Sequence, residues 1–69
     1  MDIEYIKSFL NNFIEVGVRN INDPDKIFWH HGNIIDVNHD GIVLSTRDGF
    51  LTIKYEDIKI FRKVKREES

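Results

Sequence analysis

The sequence predicts a mainly β domain: an N-terminal α-helix followed by a five-stranded, strongly bent antiparallel small barrel. Three observations predict it. The opening "DIEYIKSFLNNF" spaces its apolar residues by three and four, whereas the remainder alternates apolar and polar residues in short runs. Asp-Gly pairs at Asp40-Gly41 and Asp48-Gly49 punctuate those runs as hairpin turns do. A long run, "KIFWHHGNIIDV", holds one glycine, Gly32, where a strand can bend or bulge.

Taken in order, the helix is expected over about residues 2–12. Ile3, Ile6, Leu10 and Phe13 fall on one face, Asp2 caps the first turn, and Asn11-Asn12 suits the end. "IEVGVRNI" then alternates, with Ile14, Val16 and Val18 on one face and Glu15, Gly17 and Arg19 on the other. "NDPD" reads as a loop, because Pro24 lacks a backbone donor and Asn and Asp favour turns. The second strand is the long bent one, and "IVLST" is the third. "FLTIKY" is the fourth, with Leu51, Ile53 and Tyr55 on one side. Glu56-Asp57 makes a short break before "IKIFRKV", the fifth. The barrel thus covers about residues 13–64, and the tail, residues 65–69, is expected to be frayed. The turns leave no room for a second helix, and a long bent strand followed by a meander suits a small curled barrel.

Sixty-nine residues make one small domain. A domain near this size buries only about 60 % of the surface of its unfolded chain, so it gains from a further stabiliser. The chain has no cysteine, which leaves no disulfide and no thiolate for a metal. Association with other copies is the remaining stabiliser. The apolar fraction of 41 % and charged fraction of 32 % suit a globular domain. No apolar run approaches the roughly 20 residues of a membrane span. Asp2 and Glu4 stand where a signal peptide would carry its positive start, so the expectation is a cytoplasmic protein with no membrane partner. A net charge of −2 argues mildly against nucleic-acid binding, although it leaves room for a local binding surface.

Several of these residues resemble the motifs of the Sm-like family, which includes Sm, archaeal Sm-like and bacterial Hfq proteins. The first Sm motif places a glycine, an aliphatic residue two later, a hydrophobe five later, an aspartate, and then an aliphatic run. Gly32, Ile34, Val37, Asn38 and Ile42-Val43-Leu44 follow that spacing. The second motif, Ile-Arg-Gly-x-x-Ile, is similar to Ile53, Lys54, Tyr55 and Ile58. The departures are Asn38 for the usual Asp, Lys54 for Arg and Tyr55 for Gly. In addition, Glu56-Asp57 stands where Hfq carries Lys-His after a tyrosine. The resemblance implies one Sm-like domain, an SH3-like barrel, over residues 1–69. It also implies a homo-oligomeric hexamer or heptamer ring, in which the fourth strand of one subunit pairs with the fifth of the next. Single-stranded RNA would be the partner at the pore, met by Asn38, His39, Lys54 and Tyr55.

Each of those residues also has a plainer reading. His39 could stack on a base, with Asn38 reading its edge, or both could simply belong to an exposed turn. Lys54 could neutralise phosphate or merely face solvent. Tyr55 is read first as a packing residue, since it shares a face with Leu51 and Ile53. His30 and His31 are adjacent on a strand and point to opposite faces, so they form no common metal site. Trp29 is read as core or subunit interface, with Phe28 on the other face. Arg62, Lys63, Lys65 and Arg66 form either a phosphate-binding patch or a solvated tail balanced by Glu67 and Glu68.

No nucleophile motif, Gly-rich phosphate loop or cofactor signature is present, and so small a domain leaves little room for a pocket of a few hundred Å³. The expectation is a non-enzyme without metal or cofactor. The second functional reading is a protein-interaction or structural module on the same barrel, without nucleic acid. The missing Lys-His pair and the acidic balance favour that alternative.

Overall fold

The computed structural model describes residues 2–64. Among these residues the chain forms one short helix, five strands and a single 3-10 turn. The helix α1 spans Ile3–Lys7, and the strands are β1 Phe13–Arg19, β2 Ile27–Val37, β3 Gly41–Thr46, β4 Gly49–Lys54 and β5 Ile58–Lys63. The turn Tyr55–Asp57 joins β4 to β5. All the ladders are antiparallel, in the order β4-β3-β2-β1-β5. The anticipated tail, residues 65–69, lies outside the described residues. Among the described residues no helix is long and apolar enough to cross a membrane.

The anticipated helix and five antiparallel strands are therefore present, but the barrel is not closed. β4 and β5 form the two edges of one sheet. β2 serves two partners in turn. Its residues from Ile27 to Asn33 pair with β1, and those from Asn33 to Val37 pair with β3. The 3-10 turn then carries the chain from β4 across to the free side of β1, where β5 docks with Arg62 opposite Glu15. β5 thus leaves the meander instead of continuing it.

Alternation sorts the side chains. Ile14 and Val16 of β1, Ile34 and Val37 of β2, Ile42 and Leu44 of β3, Ile53 and Ile58 are buried together with Ile6 of the helix. Each such aliphatic side chain contributes roughly 1.5–3 kcal/mol by leaving water. Gly32 marks a close approach of β2 to β3. An added Cβ on Gly32 would lie 3.1 Å from the Ser45 carbonyl carbon. The register shift itself comes slightly later, between Ile34 and Asp36, and leaves Ile35 exposed.

The helix is shorter than its apolar spacing predicts. Asp2 caps it, with Oδ1 accepting from the Glu4 amide at 3.0 Å, but it ends at Lys7. Asn11 adopts a left-handed conformation (φ 69°), and its amide donates to the Ile34 carbonyl at 2.7 Å. Asn12 accepts from the Ile34 amide at 3.1 Å. Pairing with β2 thus wins over continued helix. As a result Leu10 is exposed instead of facing the core, and Phe13 opens β1. Phe9 takes the place Leu10 was expected to hold, meeting Tyr5 and Phe61 edge to face at centroid distances of 5.1 and 5.2 Å.

Candidate nucleic-acid interface

Two turns build the candidate site. The β2–β3 turn carries Asn38, His39 and Asp40, and its shape is held by Asn38 itself. The Asn38 Oδ1 accepts from the amides of Asp40 at 2.9 Å and Gly41 at 3.0 Å, while its own amide donates to the Gly41 carbonyl at 3.0 Å. This is the local turn that Asn side chains favour. The Asp40-Gly41 pair does not supply a left-handed glycine here. Among the described glycines only Gly49 has a positive φ, +123°, just after the Arg47-Asp48 bend.

The second turn begins at Lys54 and runs through the 3-10 segment. Tyr55 clips it to the first. Its hydroxyl donates to the Asn38 carbonyl, and its amide donates to the Asp40 carbonyl at 3.2 Å. The ring is partly buried against the core. Burial first, and then the nearby Asp36 and Asp40 carboxylates, push the Tyr55 phenol above its ordinary value.

All four residues picked out by the sequence line one open groove of about 640 Å³ together with Asp40, Gly41, Thr52 and Glu56. A space of that size is more than so small a domain was expected to offer. His39 is 88 % exposed at the turn tip, with Nε2 3.6 Å from Asp40 Oδ2. Lys54 is exposed and lines the same groove. Asn38 is mostly committed to its turn, and Tyr55 combines the packing role first read for it with a place in the groove wall. Chemically, the groove offers one imidazole that can stack, one ammonium, and two carboxylates, those of Asp40 and Glu56.

Because the Tyr55 phenol is held neutral, its contribution to stability is fully present below the ordinary tyrosine pKa. That contribution is lost as pH rises through the higher folded value. Tyr55→Phe removes the hydroxyl and should cost about 1 kcal/mol at neutral pH. It should also flatten the alkaline limb of a denaturation-midpoint profile. An unchanged midpoint at neutral pH would show that the clip contributes nothing.

Sequence reasoning missed a second cluster, on the outer face of the sheet. Glu15 of β1 accepts from the Arg62 guanidinium of β5, and its Oε2 lies 2.8 Å from His31 Nε2 of β2. The His31 and Arg62 contacts hold the Glu15 carboxyl below its usual range. The Arg62 guanidinium lies 5.0 Å above the Trp29 ring. Trp29 is not a core residue. It covers Gly17, where an added Cβ would lie 3.2 Å from the indole, and it remains 39 % exposed. Glu15 and Arg62 are 47 positions apart, so only the β1–β5 register reveals the cluster. His30 and His31 do lie on opposite faces, opposite Val16 and Glu15 respectively. In the basic run, Arg62 is tied to Glu15, Lys63 is exposed, and Lys65 and Arg66 lie outside the described residues.

No protein-family model matches the chain, and no curated protein or solved structure matches it.

Proposed function

We propose that the chain is an Sm-like protein that assembles into a homo-oligomeric ring and binds single-stranded RNA. The observation that carries this reading is the convergence of Asn38, His39, Lys54 and Tyr55 on one groove, from two turns far apart in sequence. A stacking ring beside a cation is the usual means of holding an unstacked base and its phosphate. The open sheet supports the assembly. β4 and β5, the strands expected to pair between subunits, are the two edges left free by the sheet order. Free β edges invite pairing, and a head-to-tail contact closes into a ring when the rotation allows.

Light scattering combined with titration of labelled U-rich and A-rich oligonucleotides, at low and high salt, tests both parts. The expected result is a mass of six or seven subunits with salt-sensitive binding. Lys54→Ala should weaken binding severalfold and reduce the slope of log affinity against log salt by about 0.7. A monomer would overturn the ring, and a ring without affinity for any oligonucleotide would overturn the RNA partner.

A protein-binding role without nucleic acid is the second reading. It draws on the two carboxylates in the groove and on the exposure of Phe50, 77 %, and Ile21, 83 %. Under that reading Lys54→Ala changes no oligonucleotide affinity, because there is none.

A further inference from the structure

Two carboxylates, those of Asp40 and Glu56, line the groove beside His39 and Lys54. Asn38 Oδ1 is occupied by two backbone amides, and the Tyr55 hydroxyl proton is directed to the Asn38 carbonyl. The Asn38 Oδ1 and the Tyr55 hydroxyl are thus committed within the protein. The groove is also lined by the Lys54 ammonium, the His39 ring, the Thr52 hydroxyl and the carboxylates of Asp40 and Glu56. Asp40 sits beside the imidazole, 3.6 Å from Nε2. Glu56 also lines the groove, exposed, and among the described residues it has no ion pair.

The four bases meet a carboxylate differently. Uracil shows one N–H between two carbonyl oxygens, so a carboxylate there gains one hydrogen bond and faces two repulsions. Cytosine and adenine each show one amino donor next to an acceptor nitrogen. Guanine alone shows two adjacent donors, N1–H and the N2 amino group, spaced to meet both oxygens of one carboxylate. Its neighbouring O6 is an acceptor that an ammonium can take. Bidentate pairs of this kind are the strong, geometry-selective ones. The same carboxylates repel phosphate, so they weaken sequence-blind binding and sharpen the difference between bases.

We propose that the groove selects guanine in single-stranded RNA: His39 stacks on the base while the Glu56 carboxylate accepts from N1–H and the N2 amino group. The inference rests on the RNA-binding reading above. Lys54 then serves O6 or the adjoining phosphate. Burial, and after it the Asp36 and Asp40 carboxylates, raise the Tyr55 pKa, so its hydroxyl keeps the proton it donates to the Asn38 carbonyl.

The test uses the full-length chain and labelled U-rich hexanucleotides with one central position varied: uridine, cytidine, adenosine, guanosine or inosine. Inosine keeps N1–H and lacks the N2 amino group, so it tests the contact without altering the protein. The guanosine oligonucleotide should bind about tenfold tighter than the uridine one, within the range of a good bidentate base contact. Inosine should lose most of that gain. Glu56→Gln should abolish the preference while leaving uridine binding equal or tighter, and Asp40→Asn should keep it. Equal affinities for all five, or tightest binding of the uridine form, would overturn the guanine assignment and leave RNA binding standing. No affinity for any oligonucleotide would overturn RNA binding and the assignment with it.

Discussion

Gly41→Ala is expected to destabilise the fold by about 3 kcal/mol or more, as overpacking against a backbone does when nothing can yield. Gly41 opens β3 opposite Lys54 of β4. An added Cβ would drive into the Ile53 carbonyl oxygen and lie 2.9 Å from both the Ile53 carbonyl carbon and the Lys54 Cα. These are backbone atoms of the paired strand, so no rotamer change relieves the clash. Relief requires β3 and β4 to separate, and with them Ile42 and Ile53, both buried. The whole stability of a domain this size is about 3–10 kcal/mol at the usual per-residue value, so the variant should be largely unfolded. Gly49→Ala provides the contrast. Nothing lies within 4 Å of the added Cβ, but φ is +123°, so the cost is backbone strain of about 1–3 kcal/mol. Urea denaturation followed by far-ultraviolet circular dichroism ranks the two. A Gly41→Ala midpoint equal to that of the unchanged chain would rule out the close β3–β4 approach.

These two glycines show what was legible in the sequence and what was not. Both Asp-Gly pairs were readable as turns, and both do mark chain reversals. The physical reason for each glycine was not readable. At Gly49 it is a dihedral angle, which local sequence can suggest. At Gly41 it is the distance to a strand twelve residues further on, which depends on register. The same division runs through the molecule. Alternation in "IEVGVR" and "FLTIK" correctly gave the buried faces, because period two is a local property. The helix was overextended, because Leu10 and Phe13 fit the spacing while the hydrogen bonds of Asn11 and Asn12 to Ile34 are long-range. The open sheet follows from β5 docking on β1, and no pattern within β5 names its partner.

The candidate site divides in the same way. Asn38, His39, Lys54 and Tyr55 were legible as polar residues at two turns, and the structure places them in one groove. The clip from Tyr55 to Asn38 was not legible, nor was the way Asp40 joins Glu56 in one groove. Those two carboxylates change the chemistry of the site more than any residue the sequence singled out. The loss of the Lys-His pair was legible in the sequence as two carboxylates, Glu56 and Asp57, standing in its place. In the structure the Glu56 carboxylate lines the same groove as His39 and Lys54.

Ile34 and Leu44 carry the second large effect. They are register partners across β2 and β3, both are fully buried, and they lie just past the last β1–β2 pair, Phe13 with Asn33. Ile34 also holds the helix end in place, since its backbone carbonyl and amide bond Asn11 and Asn12. Truncating either side chain to alanine loses transfer energy and leaves a cavity, for about 2–5 kcal/mol each. The backbone bonds survive both substitutions, so the helix end should remain attached in whatever folded population persists. Because the two side chains face each other, the second truncation enlarges a cavity that already exists. The double variant should therefore cost less than the sum of the singles, by about 0.5–3 kcal/mol. Denaturation midpoints for the two single variants and the double variant measure that coupling. If the single variants already unfold the lone chain, Ile34→Val and Leu44→Val give the same cycle at smaller cost. Strict additivity would mean that the two side chains do not share one cavity, contrary to the β2–β3 register. Association of subunits would add to the stability of every variant, so the cycle is run at several protein concentrations. A coupling that stays constant while the midpoints rise together belongs to the core of the single chain, and one that vanishes on dilution belongs to the assembly.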